Sequence, residues 1–559
     1  MVEEYEEFSE SQKRILERFV TDTSSNVFVL RNLPEVIKGA LFSRYSRSTL
    51  GLRSLLLKEF ILNEETAFDA IVGGQNQPED EAAEAQSIAI KKAQNFYDRI
   101  LDGYGDDSIG ELGGAHLAIE QISMLAAKVI QDARVGGSPL EKSTRYVYFD
   151  QKVKGEYLFY REPVLMTSAY RDLYVETCNS LFETYSFLIP KVTQIMEELF
   201  PRDEEVLRSA YTAALRARVL DVLRGLLPAG TLTNMGVYGN GRFFQALIQK
   251  LTAHNLAELQ EIGRKSYDEL SKVMPSFVRR ADPSHPNSRA MSRFYETMQA
   301  EIRLVASQHG PKVVHGLSQK EQPGAIPKGQ SCESVRLIDY TKDAPIRVAA
   351  ALLYSATGRE LSDLMDYCRT LNAEELARIL DSACSARENR RHKSPRALEQ
   401  AFFTFELLSD FGVYRDLQRH RMLTQERQLL SCDFGYFVPQ EIRETEWLDP
   451  YCNAMGRARE AFDTIREELP EEAQYVVPMA YRVRWYFHIN LRALQWLVEL
   501  RSCSQGHPTY RYLAHEMAHL ICQQFPEFER FFRFADYEGY DLGRLSQEER
   551  AARKSQELS

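Results

Sequence analysis

The segment 228–242, PAGTLTNMGVYGNGR, has a counterpart in the segment 478–492, PMAYRVRWYFHINLR. In both segments an Asn-x-Arg triplet begins 12 residues after the proline, and an amphipathic run follows it. A match in spacing over so long a stretch indicates an internal repeat. Because the repeated unit is about 250 residues long, we expect a duplicated domain and not a solenoid of short repeats.

The repeat continues upstream of these two segments. Residues 27–46, VFVLRNLPEVIKGALFSRYS, match residues 335–355, VRLIDYTKDAPIRVAAALLYS, and each run predicts a strand, a turn with proline and a helix. Helical periodicity dominates the rest of the chain, with short strand-like runs between the helices. We therefore expect an α+β fold that is rich in helix, in which each of two tandem copies has a small sheet and flanking helices.

Glycine and proline cluster in the segment 309–330, which makes it the best candidate for a linker. It divides the 559-residue chain slightly past the middle. The sequence thus predicts a first copy at residues 1–308, a linker at 309–330, a second copy at 331–540 and a charged tail at 541–559.

The composition is that of an ordinary globular protein, with 44% hydrophobic and 27% charged residues. The N-terminus is acidic, and no apolar run approaches the roughly 18 residues that a membrane span needs. The eight cysteines form no Cys-x-x-Cys pair, which is typical of reduced thiols in the cytosol. A net charge of −11 disfavours nucleic acid as a partner. We therefore expect a cytoplasmic protein that does not contact a membrane.

Two short segments concentrate groups that bind anions. Arg419, His420 and Arg421 are consecutive, and this density of basic side chains favours a nearby phosphate or carbonyl oxygen, with a solvated basic turn as the alternative. In the first half, residues 141–146, EKSTRY, follow the turn 136–139, GGSP. Hydroxyl groups and a guanidinium after a glycine-rich turn make a plausible phosphate cradle, although ordinary loops also have this composition.

These segments resemble the two parts of the signature of flavin-dependent thymidylate synthases, in which Arg-His-Arg is followed by Ser-x-Arg-Tyr in one run. Here the signature is split between the copies. The first copy keeps the second part, at 141–146, but has Ala-Arg-Val at 133–135 where Arg-His-Arg is expected. The second copy keeps Arg-His-Arg at 419–421 but has Leu-Leu-Ser-Cys at 429–432.

The same complementarity is found downstream. The family's nucleotide-binding arginine, four residues before a proline, corresponds to Arg224 in the first copy and to Gln474 in the second. The arginine that the resemblance places against the pyrimidine corresponds to Leu251 in the first copy and to Arg501 in the second. Both copies keep the Asn-x-Arg pair that the family associates with flavin binding.

The resemblance implies one composite site drawn from both copies, with FAD as the cofactor. The implied catalytic residues are Ser143, Arg145 and Arg501, and the implied substrate-binding residues are Glu141, Tyr146 and Arg224. The implied cofactor-binding residues are Arg419, His420, Arg421, Glu399, Asn490, Arg492, Asn240 and Arg242. The implied reaction converts dUMP to dTMP with methylene-tetrahydrofolate as carbon donor and NADPH as reductant. Because family members are tetramers, two chains of two copies are expected to form a homodimer.

One position departs from the family pattern. The glutamine that contacts the nucleotide, three residues before Arg-His-Arg, is replaced by Ile130 in the first copy and by Asp416 in the second. An aspartate would repel a phosphate or a uracil carbonyl unless it were protonated or paired with Arg415. The substrate is therefore open among free dUMP, a modified nucleotide and a base in RNA, and the carbon donor is open as well.

Two other functions compete with this interpretation. A non-catalytic paralogue that binds a flavin or a nucleotide, or scaffolds a partner, would also carry an incomplete signature. His515, Glu516 and His519 satisfy His-Glu-x-x-His, the motif of zinc peptidases. No Gly-x-x-His continuation follows, and the corresponding helix of the first copy has no histidine. Packed or exposed histidines without a metal are therefore the simpler interpretation of this motif.

Overall fold

A computed structural model describes residues 7–46, 48–62, 110–309, 334–540 and 542–558. Apart from His309, the predicted linker lies outside the described residues. In the part of the chain that is described, no helix combines the length and the apolar character that crossing a membrane requires.

The chain folds into two compact units, each of which draws on separate stretches of sequence. The first unit comprises Met1–Glu120, Asp132–Glu141 and Asn234–Lys312, and the second comprises Gln121–Gln131, Lys142–Thr233 and Val313–Ser559. The second unit therefore combines the predicted second copy with a large part of the first. The boundaries proposed for the two copies stay a prediction, because a copy is a unit of sequence whereas these units are defined by packing.

Helices dominate the described fold. In chain order they are α1 (Glu10–Leu16), α2 (Glu35–Tyr45), α3 (Leu52–Leu55), α4 (Met124–Asp132), α5 (Pro163–Thr167), α6 (Arg171–Leu199), α7 (Arg208–Leu223), α8 (Gly241–Thr252), α9 (Ala257–Val273), α10 (Pro275–Val278), α11 (Pro286–His309), α12 (Ala344–Thr357), α13 (Leu361–Thr370), α14 (Ala373–Asp381), α15 (Phe411–Leu417), α16 (Gln440–Arg443), α17 (Leu448–Ile465), α18 (Leu491–Arg501), α19 (Pro508–Gln524) and α20 (Leu545–Leu558).

The strands form small antiparallel sheets. They are β1 (Gly114–Ser123), β2 (Gly137–Glu141), β3 (Lys152–Val153), β4 (Glu156–Tyr157), β5 (Leu232–Asn240), β6 (Ser334–Tyr340), β7 (Phe402–Asp410), β8 (Leu423–Arg427) and β9 (Arg482–Asn490). One sheet has the order β1-β5-β2, a second has the order β6-β7-β9-β8, and β3 pairs with β4. The predicted α+β class, rich in helix, is confirmed.

The two larger sheets repeat one arrangement. β1, α4 and β2 follow one another along the chain as β7, α15 and β8 do. The later strand β5 lies between β1 and β2, and the later strand β9 lies between β7 and β8. A helix then follows β5 and β9 directly, as α8 and α18. The prediction of two tandem copies is therefore confirmed at the level of topology.

In the first unit, an aromatic ring explains two glycines of the sheet. Gly137 on β2 stands opposite Gly239 on β5. The ring of Phe243 lies so close that a Cβ atom would be 2.4 Å away at Gly137 and 2.3 Å away at Gly239. Asn240 Oδ1 accepts a hydrogen bond of 2.8 Å from the Phe243 backbone N–H, which caps α8 and holds the ring in place. A side chain at either glycine would therefore displace the helix start.

In the second unit, the central strands bury one face by strict alternation. The paired inward-facing residues are Phe403 with Ile489, Phe405 with Phe487, and Leu407 with Trp485, all at most 2% exposed. Side chains on a strand point alternately to the two faces, so these six residues share one face. The apolar burial of cross-strand pairs stabilises the register that brings α15 and α18 to the ends of this sheet.

The two prolines of the sequence repeat meet in the second unit. Pro228 and Pro478 form an antiparallel bridge. On either side of it, Ala229 N donates to Val477 O at 2.8 Å and Met479 N donates to Leu227 O at 2.9 Å. Each of these bonds is the image of the other under exchange of the copies. The duplicated segments therefore contact each other as two subunits of a symmetric dimer would.

One predicted strand is absent from the described structure. The helices expected in the runs 27–46 and 335–355 are present as α2 and α12, and the strand expected in the second run is β6. In the first run, Leu30 forms only an isolated bridge with Val20. The strand prediction there is wrong, because Val27 and Val29 have no sheet to cover them and are 76% and 64% exposed.

Candidate active site

A cavity of about 610 Å³ opens in the second unit beside the Arg-His-Arg turn. Its basic lining residues are Arg387, Arg390, Lys393, Arg419, Arg421, Arg492 and Arg501, with Glu399 as a carboxylate among them. Apolar surface comes from Met422, Leu423, Trp496 and Leu500. A cavity with this lining fits a ligand that combines negative charge with a flat apolar portion.

The Arg-His-Arg turn is placed at the cavity by two regular elements. α15 ends at Leu417 and β8 begins at Leu423, so the turn connects a helix to a paired strand. Arg419 and Arg421 are exposed, whereas His420 is buried. Arg501 Nε donates to His420 Nε2 at 2.9 Å, and burial together with the Arg501 charge lowers the pKa of His420 well below its usual value. His420 is therefore a neutral imidazole that carries its proton on Nδ1.

The start of α18 contributes a second set of cavity residues. Asn490 Oδ1 accepts from Ala493 N at 2.9 Å and caps the helix. Arg492 Nε donates to Ser394 O at 2.8 Å, and its Nη1 donates to Glu399 Oε1 at 2.9 Å. Although burial opposes ionisation, hydrogen bonds from Arg396 and Arg492 keep the pKa of Glu399 below its usual value. Glu399 thus orients Arg492 at the cavity wall.

A buried cluster of two arginines and two aspartates lies in the same unit. Arg145 Nε and Nη2 both donate to the Asp221 carboxylate, with 2.6 Å between Nη2 and Oδ2. Arg224 Nη1 lies 3.4 Å from Asp416 Oδ2, and Arg224 Nε lies 4.0 Å from Asp221 Oδ1. We call these four residues the arginine–aspartate cluster. It joins Arg145, Asp221 and Arg224 of the first copy to Asp416 of the second.

Asp416 is ionised in this cluster. Burial by itself would raise its pKa, but the charges of Arg224, Arg145, Arg501 and Arg419 outweigh burial and hold the pKa well below the usual value. The sequence suggested Arg415 as a partner, and the structure pairs Asp416 with Arg224 at 3.4 Å. The aspartate therefore stands where basic side chains of both copies converge.

Tyr510 connects the cluster to the cavity. The Arg501 guanidinium lies 5.5 Å from the centre of the Tyr510 ring, within the range of a cation–π interaction. The Tyr510 hydroxyl lies 3.5 Å from Arg145 Nη1. Because Arg501 also binds His420, a continuous chain of contacts joins Arg145 of the first copy to the Arg-His-Arg turn of the second.

The other predicted residues are distributed between the units. Ser143 Oγ accepts from Arg145 N at 3.2 Å and so lies beside the cluster, and Tyr146 is 44% exposed. Glu141, Asn240 and Arg242 belong to the first unit. There Glu141 stands opposite Met235 on β5, and Arg242 pairs at the surface with Glu111 at 2.7 Å.

Several residues of the site were not identified from the sequence. They are Asp221, His507, Tyr510 and Arg544 around the cluster, and Arg387, Arg390 and Lys393 at the cavity. Asp221 could have been identified from the sequence, because it lies three residues before Arg224. Residues at this spacing share one face of a helix. Arg387 is already occupied by Glu499, with 2.6 Å between Nη2 and Oε2, so it supports the cavity wall and is less free to bind a ligand.

The His-Glu-x-x-His motif lies on α19. His515 Nε2 is 2.8 Å from Asp536 O, and His519 Nε2 is 2.7 Å from Gln523 Nε2. Within the described ranges, no group of three or more His, Cys, Asp or Glu residues is arranged to hold a metal ion. Both histidines thus have hydrogen-bond partners of their own in the folded chain.

His507 gives the site a dependence on pH. Burial and the charge of Arg224 lower its pKa to about 3, so between about pH 6.5 and pH 3 the unfolded chain binds a proton that the folded protein does not. Stability should therefore fall as the pH falls, by up to about 1.4 kcal/mol per pH unit from this residue. We expect H507N, which can still cap α19, to flatten the free energy of unfolding measured by urea titration across this range.

The matched control for this prediction is H519N, which changes an exposed histidine of the same helix. An H507N protein with the same pH slope as the unsubstituted protein would contradict the assignment of a buried, neutral imidazole at position 507.

Comparisons with known proteins agree with the duplicated topology. The profile of the family described as thymidylate synthase complementing protein matches residues 64–276 and again residues 336–527. A UPF0159 protein of Chlamydia pneumoniae is 54% identical over 98% of this chain and 99% of its own length. A UPF0159 protein of Thermoplasma acidophilum is 32% identical over 92% of this chain and 98% of its own length.

A shorter relative matches about one third of the chain. It is a flavin-dependent thymidylate synthase of Geobacter sulfurreducens, 28% identical over 34% of this chain and 81% of its own length. A protein that covers one third of this chain with most of its own length has the size expected of one copy. With two family matches and a repeated sheet, the chain belongs to the thymidylate synthase complementing protein family, in a tandem-duplicated form whose signature is split between the copies.

Proposed function

We propose that this chain is an FAD-dependent thymidylate synthase that converts dUMP to dTMP with methylene-tetrahydrofolate and NADPH, at one composite site. The observation that carries the proposal is the continuity between the two halves of the signature. Arg145 and Arg224 of the first copy reach Asp416, Tyr510 and the Arg501–His420 pair of the second within one compact unit. If each copy had lost parts of the signature at random, the residues that remain would not be expected to lie together in one unit.

The cavity residues fit an FAD molecule. Arg419, Arg421 and Lys393 offer charge-assisted hydrogen bonds to a pyrophosphate, and Trp496 and Met422 offer apolar surface to a planar ring system. A bound flavin would supply hydride and one-carbon transfer chemistry that side chains lack. Neutral His420 accepts from Arg501 through its Nε2 and so positions this arginine at the cavity without adding charge.

The protein's own contribution is orientation and charge. Arg145, Ser143 and Arg224 are assigned to the substrate phosphate, and Arg501 is assigned to the pyrimidine. A cation beside the pyrimidine stabilises the negative charge that develops on the ring during addition at carbon 5. Exclusion of water from the buried cluster strengthens these interactions.

Asp416 is compatible with a phosphate in this arrangement. It engages Nη1 of Arg224, whereas Nη2 of Arg224 is buried and has no hydrogen-bond partner among the described residues. Nη1 of the guanidinium therefore pairs with the aspartate, while Nη2 still presents a donor. The pairing removes the repulsion that an isolated aspartate would exert on an anionic substrate.

The position in the second copy that corresponds to Arg224 supports a single working site per chain. Gln474 takes the place of Arg224 in the second copy, and its Oε1 accepts a hydrogen bond of 3.1 Å from Leu430 N. A neutral amide bound to the backbone offers no charge to a phosphate. The assembly of two such chains into a homodimer stays a prediction.

A non-catalytic flavin- or nucleotide-binding paralogue is the second candidate. The observation that favours it is the pairing of both phosphate-binding arginines with carboxylates, Arg145 with Asp221 and Arg224 with Asp416. In that case the cluster would act as a structural ion-pair network, and the cavity would bind a cofactor without turnover.

An absorbance experiment separates the two candidates. We expect the purified protein to retain or take up FAD and its flavin bands to shift when dUMP is added, because Arg501 lines the cavity and its charge also acts on Asp416 of the cluster. Turnover is then measured as dTMP formed with NADPH and methylene-tetrahydrofolate. A flavin spectrum that shifts without turnover would favour the paralogue, and a protein that takes up no FAD would contradict both candidates.

A further inference from the structure

A third arginine is buried beside the arginine–aspartate cluster. Arg544 is 9% exposed, and its guanidinium lies 4.7 Å from the centre of the Tyr146 ring. Its Nη1 is buried and has no hydrogen-bond partner in the described residues. Tyr146 directly follows Arg145 in the chain. Arg544 therefore brings an unsatisfied donor to the side of the cluster that Arg145 occupies.

The segment that carries Arg544 is seated firmly at this place. Gly543 packs so closely on Ser504 that a Cβ atom would lie 1.9 Å from its carbonyl oxygen. The next carbonyl, that of Gln505, accepts a hydrogen bond of 3.1 Å from Arg145 Nη2. Behind Arg544, α20 packs against α7, the helix that carries Asp221. The position of Arg544 is thus set by contacts on both sides.

The charges around the cluster do not balance. Three guanidinium groups, those of Arg145, Arg224 and Arg544, are countered by the two carboxylates of Asp221 and Asp416. Burial and the charge of Arg145 lower the pKa of Arg544, which shows the electrostatic strain. A buried excess of positive charge is costly unless an anion neutralises it. Two orphaned donors, Arg224 Nη2 and Arg544 Nη1, remain for that anion.

We propose that Arg544 is a further substrate-binding residue, which completes with Arg145 and Arg224 a pocket for the phosphate monoester of a nucleotide. The family match ends at residue 527, so Arg544 comes from a C-terminal segment that the match does not include. The identity of the nucleotide as dUMP depends on the proposed function, whereas the recognition of a phosphate monoester depends only on the charges and donors described above.

The test compares ligands with and without the phosphate, using the full-length protein. Binding of dUMP, deoxyuridine and inorganic phosphate is measured by calorimetry on the unsubstituted protein and on R544Q, R544K and R550Q. Arg550 lies on α20, the helix that directly follows Arg544, and is exposed, so R550Q is the matched control. We expect R544Q to weaken dUMP binding about 10- to 100-fold, the effect of losing a hydrogen bond to a charged group, and R550Q to leave it unchanged.

The supporting pattern has two further parts. Deoxyuridine binding should be the same in R544Q as in the unsubstituted protein, and R544K should bind dUMP more tightly than R544Q. Without ligand, R544Q should melt at the same temperature or higher, because it removes an uncompensated buried charge; a melting temperature several degrees lower would indicate a structural role and overturn the proposal.

The remaining outcomes separate this inference from the proposed function. Weakened dUMP binding in R544Q, in a protein that makes no dTMP, would support the phosphate pocket and reject the enzyme. Normal dUMP binding and turnover in R544Q would support the enzyme and reject the role of Arg544. An unsubstituted protein that binds neither dUMP nor inorganic phosphate would overturn the inference.

Discussion

Replacement of Arg145 by methionine is expected to destabilise the protein by about 3–5 kcal/mol and to abolish dUMP binding. Arg145 donates twice to Asp221, and both side chains are at most 10% exposed. Removal of the arginine leaves the aspartate buried with only a 4.0 Å contact to Arg224, which cannot solvate it equally well. The measurement is the free energy of unfolding from urea titration, with dUMP binding followed by calorimetry.

A double substitution separates the two effects of Arg145. R145M combined with D221L removes the pair together, so most of the lost stability should return, whereas dUMP binding should stay absent because the phosphate ligand is missing. K265M serves as the control, since Lys265 and Glu261 form an exposed pair of the kind that contributes less than about 1 kcal/mol. If R145M alone retained dUMP affinity, the assignment of Arg145 to the phosphate would be wrong.

The double variant R419Q/R421Q is expected to lose affinity for FAD by about 100-fold or more, because two charge-assisted hydrogen bonds disappear. Both side chains are exposed at the cavity, so the melting temperature of the FAD-free protein should fall far less than in R145M. FAD affinity is measured by the quenching of flavin fluorescence during titration. A large effect on binding with a small effect on stability distinguishes these exposed arginines from the buried Arg145, whose removal is expected to reduce both.

The control for the flavin prediction is R457Q, which removes an exposed arginine from α17, outside the cavity lining. It should bind FAD like the unsubstituted protein, and it corrects for a general change in net charge. Equal FAD affinities in R419Q/R421Q and R457Q would reject the Arg-His-Arg turn as a flavin-binding element. This conclusion would not depend on the result of the R544Q experiment.

Some features of the site follow from local pattern. The Arg-His-Arg run was visible in the sequence, and the structure places it between α15 and β8 at the cavity. Asn240 and Asn490 were assigned to the flavin through the resemblance, and in the structure each accepts a hydrogen bond that caps a helix. Capping depends on residues three apart in the chain, so a sequence motif can preserve it in both copies.

Other features depend on contacts between distant parts of the chain. Asp416 pairs with Arg224, 192 residues away, and Arg145 contacts Tyr510, 365 residues away. No periodicity or spacing encodes such contacts, because they arise when separate elements pack together. The sequence therefore suggested Arg415 as the partner of Asp416, its neighbour in the chain, where packing provides Arg224.

The sequence by itself determined that the chain holds two copies of one domain, that each copy is rich in helix around a small sheet, and that the signature is divided between them. Repeats, periodicity and motifs are local properties, and they survive in the order of residues. Only the tertiary structure decided that Pro228 meets Pro478, that Arg145 and Arg224 lie in one unit with the Arg-His-Arg turn, and that Arg544 lies against Tyr146. Those outcomes depend on which surfaces bury each other, and burial is a property of the packed chain.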